Sequence, residues 1–175
     1  MSKTVLLIID VQNAMFNGEE GSVYNGEKVL NNILKVLNKA REKDVPVIFV
    51  QHTDKEGEYK EGEETWQLNE KLSPKEGEVV VQKGTWDAFY KTKLEEELKK
   101  LKAEKLVICG MQTEFCLDTT IRNAYSRGYE HNVVIEDAHT TFDSRVLKAD
   151  KIIEHHSNIW EGRFAKLIKA DEINL

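Results

Sequence analysis

One pattern repeats along most of this chain: a short run of apolar residues is followed by an amphipathic segment. Runs that are apolar throughout predict strands buried on both faces, as in parallel sheets that helices cover on either side. In the segments between them, apolar residues recur at helical spacing, for example from Val29 to Ala40. The pattern therefore predicts an α/β fold with a mainly parallel sheet. The predicted strands are residues 4–9, 46–50, 79–82, 105–109 and 133–136, with residues 164–168 as an edge strand.

Length and charge narrow the classes of protein that this chain can belong to. Its 175 residues include only two prolines, which predicts one domain over residues 1–175 with no linker. The net charge of −6, with no cluster of Lys and Arg free of interleaved acids, argues against a nucleic-acid partner. The first apolar run ends at Asp10, too soon for a membrane span, and no signal-peptide cleavage site follows it. Two cysteines without framework spacing suit a reducing compartment, so we expect a cytoplasmic protein.

The segment from Lys105 to Gly128 offers a candidate nucleophile. The predicted strand stops at Gly110 and a helix begins near Glu114, which places Cys116 in the first helical turn. The positive end of the helix dipole favours a thiolate there, and free N–H groups at a helix start can receive an oxyanion. Most free cysteines are simply small buried hydrophobes, and this is our interpretation of Cys109. A lone cysteine identifies no function, so for Cys116 both interpretations stay open.

Charged residues follow the predicted strands at the end where such sheets carry their chemistry, near the point where the strand order reverses. Asp10 ends the first strand, His52 follows the second, Lys83 follows the third and Cys116 follows the fourth. Each has an ordinary explanation by itself, since aspartates cap turns and most lysines are solvated. Together, an acid, a lysine and a cysteine on one rim of the sheet predict a catalytic site.

Other residues are candidates for the surroundings of that site. The polar loop of residues 53–77 is long for a compact domain, which favours a functional lid over a linker. Three aromatic residues lie close in sequence to the charged groups, and with His52 they are candidates for the walls of a substrate pocket. Aromatic residues at such places also pack in cores, so this prediction has an ordinary alternative. The three are Phe16, Trp86 and Phe115.

Three segments of the chain resemble the signatures of the isochorismatase-like cysteine hydrolases. They are Asp10-Val11-Gln12, residues 83–89 (KGTWDAF) and residues 110–117 (GMQTEFCL), and further similarity at residues 136–138 and 152–156 extends the resemblance over nearly the whole chain. Nicotinamidases, N-carbamoylsarcosine amidases and ureidoacrylate-type amidohydrolases belong to that family. The resemblance implies a three-layer α/β fold with strand order 3-2-1-4-5-6, and a homodimer or higher homo-oligomer.

The resemblance also implies roles for the residues. Cys116 would attack the carbonyl carbon of a small amide or ureido group to give a thioester, with Asp10 carrying the proton and Lys83 holding both groups. It further implies a cis peptide bond before Gln112 and an oxyanion hole made of the backbone N–H groups of Gln112 and Cys116. Nicotinamidases bind a divalent metal near the second strand. Here His52 and flexible acids are a poor zinc set, so we expect no metal and no other cofactor.

Alternatives to a cysteine-dependent amidohydrolase remain at this point. An isochorismatase-type enzyme would cleave a vinyl ether with the acid and the lysine and would need no cysteine nucleophile. A nucleotide- or flavin-binding module is less compatible, because no glycine-rich phosphate loop follows the first strand and no Walker motif occurs. A thiol-redox role lacks a resolving cysteine near Cys116 in the sequence.

Overall fold

The computed structural model describes residues 3–175, in which six strands form one parallel sheet. The strands are β1 (Thr4–Ile9), β2 (Val47–His52), β3 (Val79–Lys83), β4 (Lys105–Met111), β5 (Val133–Thr140) and β6 (Lys166–Ile168). Their order is β3-β2-β1-β4-β5-β6, which confirms the fold implied by the resemblance. The helices are α1 (Ala14–Asn17), α2 (Gly26–Glu42), α3 (Leu94–Lys100), α4 (Asp118–Ser126) and α5 (Ala149–Trp160), with a π-helical turn (Thr113–Leu117) directly before α4. Within residues 3–175, none of these helices combines the length and apolar character needed to cross a bilayer.

Several strands extend beyond the apolar runs that predicted them. β4 continues to Met111 and β5 to Thr140, because Gly110 pairs with His139 and Met111 with Thr140. A prediction from apolar runs ends at the first polar residue, whereas backbone pairing does not depend on side-chain polarity. The structure therefore places His139 inside a strand, where the side chain is buried.

Alternate residues of each strand face the two sides of the sheet and build a core on each side. On one side, Leu6 and Ile8 of β1 pack with apolar residues of α2 such as Ile33. On the other side, Leu7 and Ile9 pack with apolar residues of α3, α4 and α5. The strands read as continuous apolar runs because both faces are covered.

The strand order reverses between β1 and β4, and the two strands approach closely at their carboxyl ends. Gly110 of β4 has a φ of +127°, and a Cβ atom there would lie 2.0 Å from the carbonyl oxygen of Ile9. Only glycine fits at that position, since any side chain would push the two strands apart. The residues that follow β1 and β4 are consequently held side by side, which is where open α/β sheets form their ligand crevices.

Candidate active site

A buried ion pair lies at the reversal point of the sheet. Lys83 Nζ, at the end of β3, is 2.7 Å from Asp10 Oδ2, and both side chains are fully buried. Asp10 directly follows β1 with a φ of +50°, so the backbone enters the left-handed region and leaves the sheet there. Apart from this ion pair, neither carboxylate oxygen of Asp10 has a hydrogen-bond partner among residues 3–175. The carboxylate therefore keeps lone pairs with which it can accept a proton.

Cys116 lies beside this pair. Its Sγ atom is 3.2 Å from Lys83 Nζ, and the side chain is buried. The expected placement in a first helical turn is correct, although the turn is π-helical and α4 begins only at Asp118. Single π-helical turns are rare and occur frequently at functional sites. The structure thus brings together the acid, the lysine and the cysteine that the strand-end argument selected.

The surroundings of Cys116 oppose the thiolate that a helix start favours. Burial raises the pKa of the Cys116 thiol, the negative charge of Asp10 raises it further, and the positive charge of Lys83 opposes both only in part. The loss of water and a neighbouring carboxylate both disfavour a thiolate, and neither can be seen in the local sequence. For Lys83, burial lowers the pKa, but the negative charge of Asp10 and the hydrogen-bonded contact with Cys116 outweigh burial, so the pKa is raised. The raised pKa values favour the protonated forms of both Lys83 and Cys116.

His52, the last residue of β2, connects Lys83 to the edge of the site. Its Nδ1 atom is 3.0 Å from Lys83 Nζ, and its Nε2 atom is 3.1 Å from Asp54 Oδ1. An ammonium group can only donate, so Nδ1 must accept and the ring proton must be on Nε2, which donates to Asp54. This arrangement keeps His52 in its neutral form.

These groups lie at the base of a cavity of about 120 Å³. Trp86 and Phe115, exposed by 60% and 47%, form its outer part, and His52 lies in its lining. Phe16 does not line the cavity as proposed from its sequence position, because it packs against the core on the α2 side while Met15 faces the cavity. The lining residues are Asp10, Met15, His52, Asp54, Tyr59, Trp86, Gln112, Phe115 and Cys116.

Met15, Asp54 and Tyr59 are lining residues that the sequence analysis did not select. Asp54 follows β2 by two residues, so the strand-end argument could have been extended to it. Tyr59 lies within a charged stretch and gave no signal. Its ring meets the ring of His52 edge-on with 5.4 Å between centroids, and its hydroxyl donates to Met15 Sδ over 3.6 Å. Burial, followed by the charge of Asp10, raises the pKa of the Tyr59 hydroxyl, which stays protonated.

The loop that carries Asp54 and Tyr59 is fastened to the sheet. The buried side chain of Gln12 donates from Nε2 to the carbonyl oxygens of Trp66 (2.7 Å) and His52 (2.9 Å), and its Oε1 accepts from the His52 N–H (2.8 Å). Gln51 also donates to the Trp66 carbonyl over 3.0 Å. The predicted lid is therefore anchored at its centre, and it forms a wall of the cavity.

Gln112, which lines the cavity, has a backbone N–H group without an acceptor in the described chain. The Met111–Gln112 peptide bond is cis, as the resemblance implied. No acceptor within residues 3–175 receives a hydrogen bond from the Gln112 N–H. This N–H is consequently free to donate to a bound molecule.

One set of side chains has the composition of a metal site. Single ligand atoms of Asp10, His52 and Cys116 all lie within 4.8 Å of one another. However, Lys83 Nζ is 2.7 Å, 3.0 Å and 3.2 Å from these residues, so the ammonium already takes the place of a bridging cation. The set does not fit a resident metal while Lys83 is charged, and a metal-independent reaction stays our prediction.

Residues 4–169 match the family model described as the isochorismatase domain. The chain belongs to the isochorismatase family of hydrolases. The isochorismatase family protein YddQ of Bacillus subtilis is 35% identical over 86% of this chain and 83% of its own length. Streptothricin hydrolase of Streptomyces noursei is 34% identical over 97% of this chain and 66% of its own length. Nicotinamidase 3 of Arabidopsis thaliana is 29% identical over 96% of this chain and 85% of its own length.

Solved structures of the isochorismatase family share this fold. One isochorismatase family protein has a TM-score of 0.90 at 36% identity, over 97% of this chain and 99% of the other. The N-carbamoylsarcosine amidase of Thermoplasma acidophilum has a TM-score of 0.84 at 20% identity, over 99% of both chains. The latter likeness concerns the fold alone.

Proposed function

We propose that this isochorismatase-family hydrolase cleaves the C–N bond of a small amide, ureido or carbamoyl compound through a thioester on Cys116. The observation that carries the proposal is the meeting of three groups beside the cavity. Lys83 Nζ is 2.7 Å from Asp10 Oδ2 and 3.2 Å from Cys116 Sγ. A neutral thiol next to a carboxylate with free lone pairs is a nucleophile paired with its base.

In the first half of the reaction, Asp10 takes the thiol proton as Cys116 Sγ attacks the carbonyl carbon. The carbonyl oxygen becomes an oxyanion, which the backbone N–H groups of Gln112 and Cys116 stabilise by donating hydrogen bonds. Asp10 then returns the proton to the leaving nitrogen, the C–N bond breaks, and ammonia or an amine departs. The acyl group stays on Cys116 as a thioester.

In the second half, water hydrolyses the thioester. Asp10 takes a proton from the water, whose oxygen attacks the thioester carbon, and the carbon–sulfur bond breaks. The sulfur regains a proton, and the acid product leaves. Throughout, Lys83 keeps a positive charge beside Asp10 and Cys116, so that negative charge on either group is balanced where both side chains are buried.

The relatives named nicotinamidase 3 and streptothricin hydrolase support hydrolysis as the reaction class. The cavity of about 120 Å³ supports a small-molecule substrate. The exposed aromatic rings of Trp86 and Phe115 suit a flat group such as an amide conjugated to a ring.

The experiment compares the two cysteines. Wild type, Cys116→Ala and Cys109→Ala are incubated with a panel of small primary amides and ureides while ammonia release is measured. We expect Cys116→Ala to fold, to lose at least about a thousandfold in turnover and to form no covalent adduct. Cys109 is buried in the core on the α2 side, so Cys109→Ala should keep its turnover and lose some stability. Intact mass after acid quenching should show the acyl adduct on the wild type and on Cys109→Ala, and no adduct on Cys116→Ala.

Turnover of an amide by Cys116→Ala at the wild-type rate would eliminate the thioester mechanism. Cleavage of a vinyl ether by the wild type, with every amide and ureide left intact, would replace the amidohydrolase with an isochorismatase-type activity.

A further inference from the structure

The lining of the cavity carries an unbalanced negative charge. Asp10 and Asp54 are its two acids, His52 is neutral, and neither Lys nor Arg lines it among the residues that the structure describes. Asp10 is balanced by its ion pair with Lys83. The remaining charge is that of Asp54.

Lys83 has no N–H group left to donate to a second anion. Its side chain is fully buried, and four groups that can accept a hydrogen bond already lie within 3.2 Å of its Nζ atom: Asp10, His52, Cys116 and the carbonyl oxygen of Thr85. An ammonium has only three protons to donate, so these acceptors already exceed its capacity. Among the residues that the structure describes, no other cation lines the cavity to pair with a substrate carboxylate.

Asp54 is placed to act on whatever enters the cavity. Its side chain is 49% exposed, and its Oδ1 atom accepts a hydrogen bond from neutral His52. Within residues 3–175, no Lys or Arg forms an ion pair with Asp54. The backbone of Asp54 is held by a hydrogen bond from its N–H to the Tyr59 carbonyl over 2.8 Å, so the carboxylate has a defined position at the wall.

We infer that Asp54 selects the charge of the substrate: the site accepts uncharged and cationic amides and rejects amides that carry a carboxylate beside the scissile bond. The inference rests on the proposed function. An anionic group in this small cavity loses water, faces Asp54 and gains no cationic partner, whereas an amino or N–H group gains the carboxylate as an acceptor. Asp54 is a specificity-determining residue in this scheme, and Asp10, Lys83 and Cys116 carry the chemistry.

The first test uses two alkylating agents of nearly equal size, neutral iodoacetamide and anionic iodoacetate. The rate of labelling at Cys116 is measured by peptide mass spectrometry for each agent, and each rate is divided by the rate with free glutathione. A ratio of the two rates cancels any change in the reactivity of the thiol itself. We expect the wild type to disfavour iodoacetate, and Asp54→Asn to raise the iodoacetate-to-iodoacetamide ratio about five- to tenfold.

Glu56→Gln is the matched control. Glu56 is an exposed acid two residues further along the same loop, and it does not line the cavity. The variant has the same net charge as Asp54→Asn, so it separates a local effect from the charge of the whole protein. We expect its labelling ratio to stay within about twofold of the wild type. An equal ratio in the wild type and Asp54→Asn, or an equal rise in both variants, overturns the inference.

The second test measures hydrolysis of propionamide, glycinamide and malonamate, which are neutral, cationic and anionic amides of similar size. We expect the wild type to have a higher kcat/KM for propionamide and glycinamide than for malonamate. Asp54→Asn should raise the ratio of kcat/KM for malonamate to that for propionamide by the same factor as the iodoacetate-to-iodoacetamide labelling ratio. Hydrolysis with no charge preference in either protein overturns the inference and leaves the proposed function standing. A charge-dependent labelling ratio without hydrolysis of any amide supports selection by Asp54 and counts against the amidohydrolase.

Discussion

The floor and the wall of the candidate active site are built in different ways. The floor consists of Asp10, Lys83 and Cys116, and each of these residues ends a strand or directly follows one through a short turn. The wall consists of Asp54 and Tyr59, which lie in the long segment between β2 and β3. The pairing of parallel strands aligns the floor, whereas the wall depends on how a loop is tied down.

The two regions also differ in charge and exposure. In the floor, opposite charges are paired and fully buried. In the wall, the Asp54 carboxylate is half-exposed and has no cationic partner within the described chain. Buried, balanced charges suit bond breaking, and a solvent-accessible single charge suits selection of the substrate. A site can thus keep its chemistry and change its substrate through the loop.

The largest expected effect comes from breaking the charge balance of the floor. Lys83→Met should abolish turnover and lower the free energy of unfolding by about 3–5 kcal/mol, because Asp10 is left as a buried, uncompensated charge. The double variant Asp10→Asn/Lys83→Met should be more stable than Lys83→Met, since it removes both charges. Urea denaturation of the wild type, Asp10→Asn, Lys83→Met and the double variant measures the coupling free energy between the two charges.

A surface ion pair supplies the control. Lys99 pairs with Glu95 one helical turn away in α3, and Lys99→Met should change the unfolding midpoint very little. A double variant that is no more stable than Lys83→Met would show that charge balance is not what stabilises the floor.

A smaller effect should follow from releasing the wall. Gln12→Ala removes three hydrogen bonds, two to the backbone of His52 at the end of β2 and one to the Trp66 carbonyl in the loop. The His52 N–H loses this acceptor, and the Trp66 carbonyl keeps only the hydrogen bond from Gln51 among the side chains that the structure describes. We expect a loss of about 3 kcal/mol in stability, together with faster proteolysis within residues 53–78. The exposed residue Gln67 lies in the same loop, and Gln67→Ala should stay within about 0.5 kcal/mol of the wild type. Unchanged proteolysis in Gln12→Ala would mean that other contacts hold the wall.

The smallest expected effect concerns His139, which contacts the π-helical turn that carries Cys116. His139 is buried with its Nδ1 atom 2.9 Å from Thr113 Oγ1, in the π-helical turn that carries Cys116. Burial, followed by the charge of His156, lowers the pKa of His139 to about 3. Below its ordinary pKa of about 6.5, the unfolded chain therefore binds a proton that the folded protein does not. Stability from this group is present above pH 6.5 and is lost as the pH falls toward 3.

Between pH 7 and pH 5, His139 should account for a loss of about 2 kcal/mol in the free energy of unfolding. Urea denaturation across this range should show a flatter pH dependence for His139→Gln than for the wild type. The exposed residue His155 is the control, and His155→Gln should keep the wild-type slope. Parallel slopes for all three proteins would contradict a neutral, buried His139.

The floor could be predicted from the sequence, but the wall could not. Asp10, Lys83 and Cys116 follow recognisable strands, and the carboxyl ends of parallel strands meet at one edge. Tyr59 has no such signal, because its position depends on a loop that Gln12 and Trp66 fasten to the sheet. The prediction for Phe16 was wrong for a related reason: the short helix α1 decides that its neighbour Met15 lines the cavity.

The sequence by itself determined the alternation of strands and helices, the two-sided burial of the sheet and the residues at its carboxyl edge, since these follow from local apolar patterns. Through its signature segments it also indicated the family and the strand order. Only the tertiary structure decided that burial and Asp10 raise the pKa of the Cys116 thiol, that His52 links Lys83 to Asp54, and that Asp54 lines the cavity with no Lys or Arg partner among the described residues. Protonation and pairing depend on burial and on neighbours from distant parts of the chain, and no local pattern contains that information.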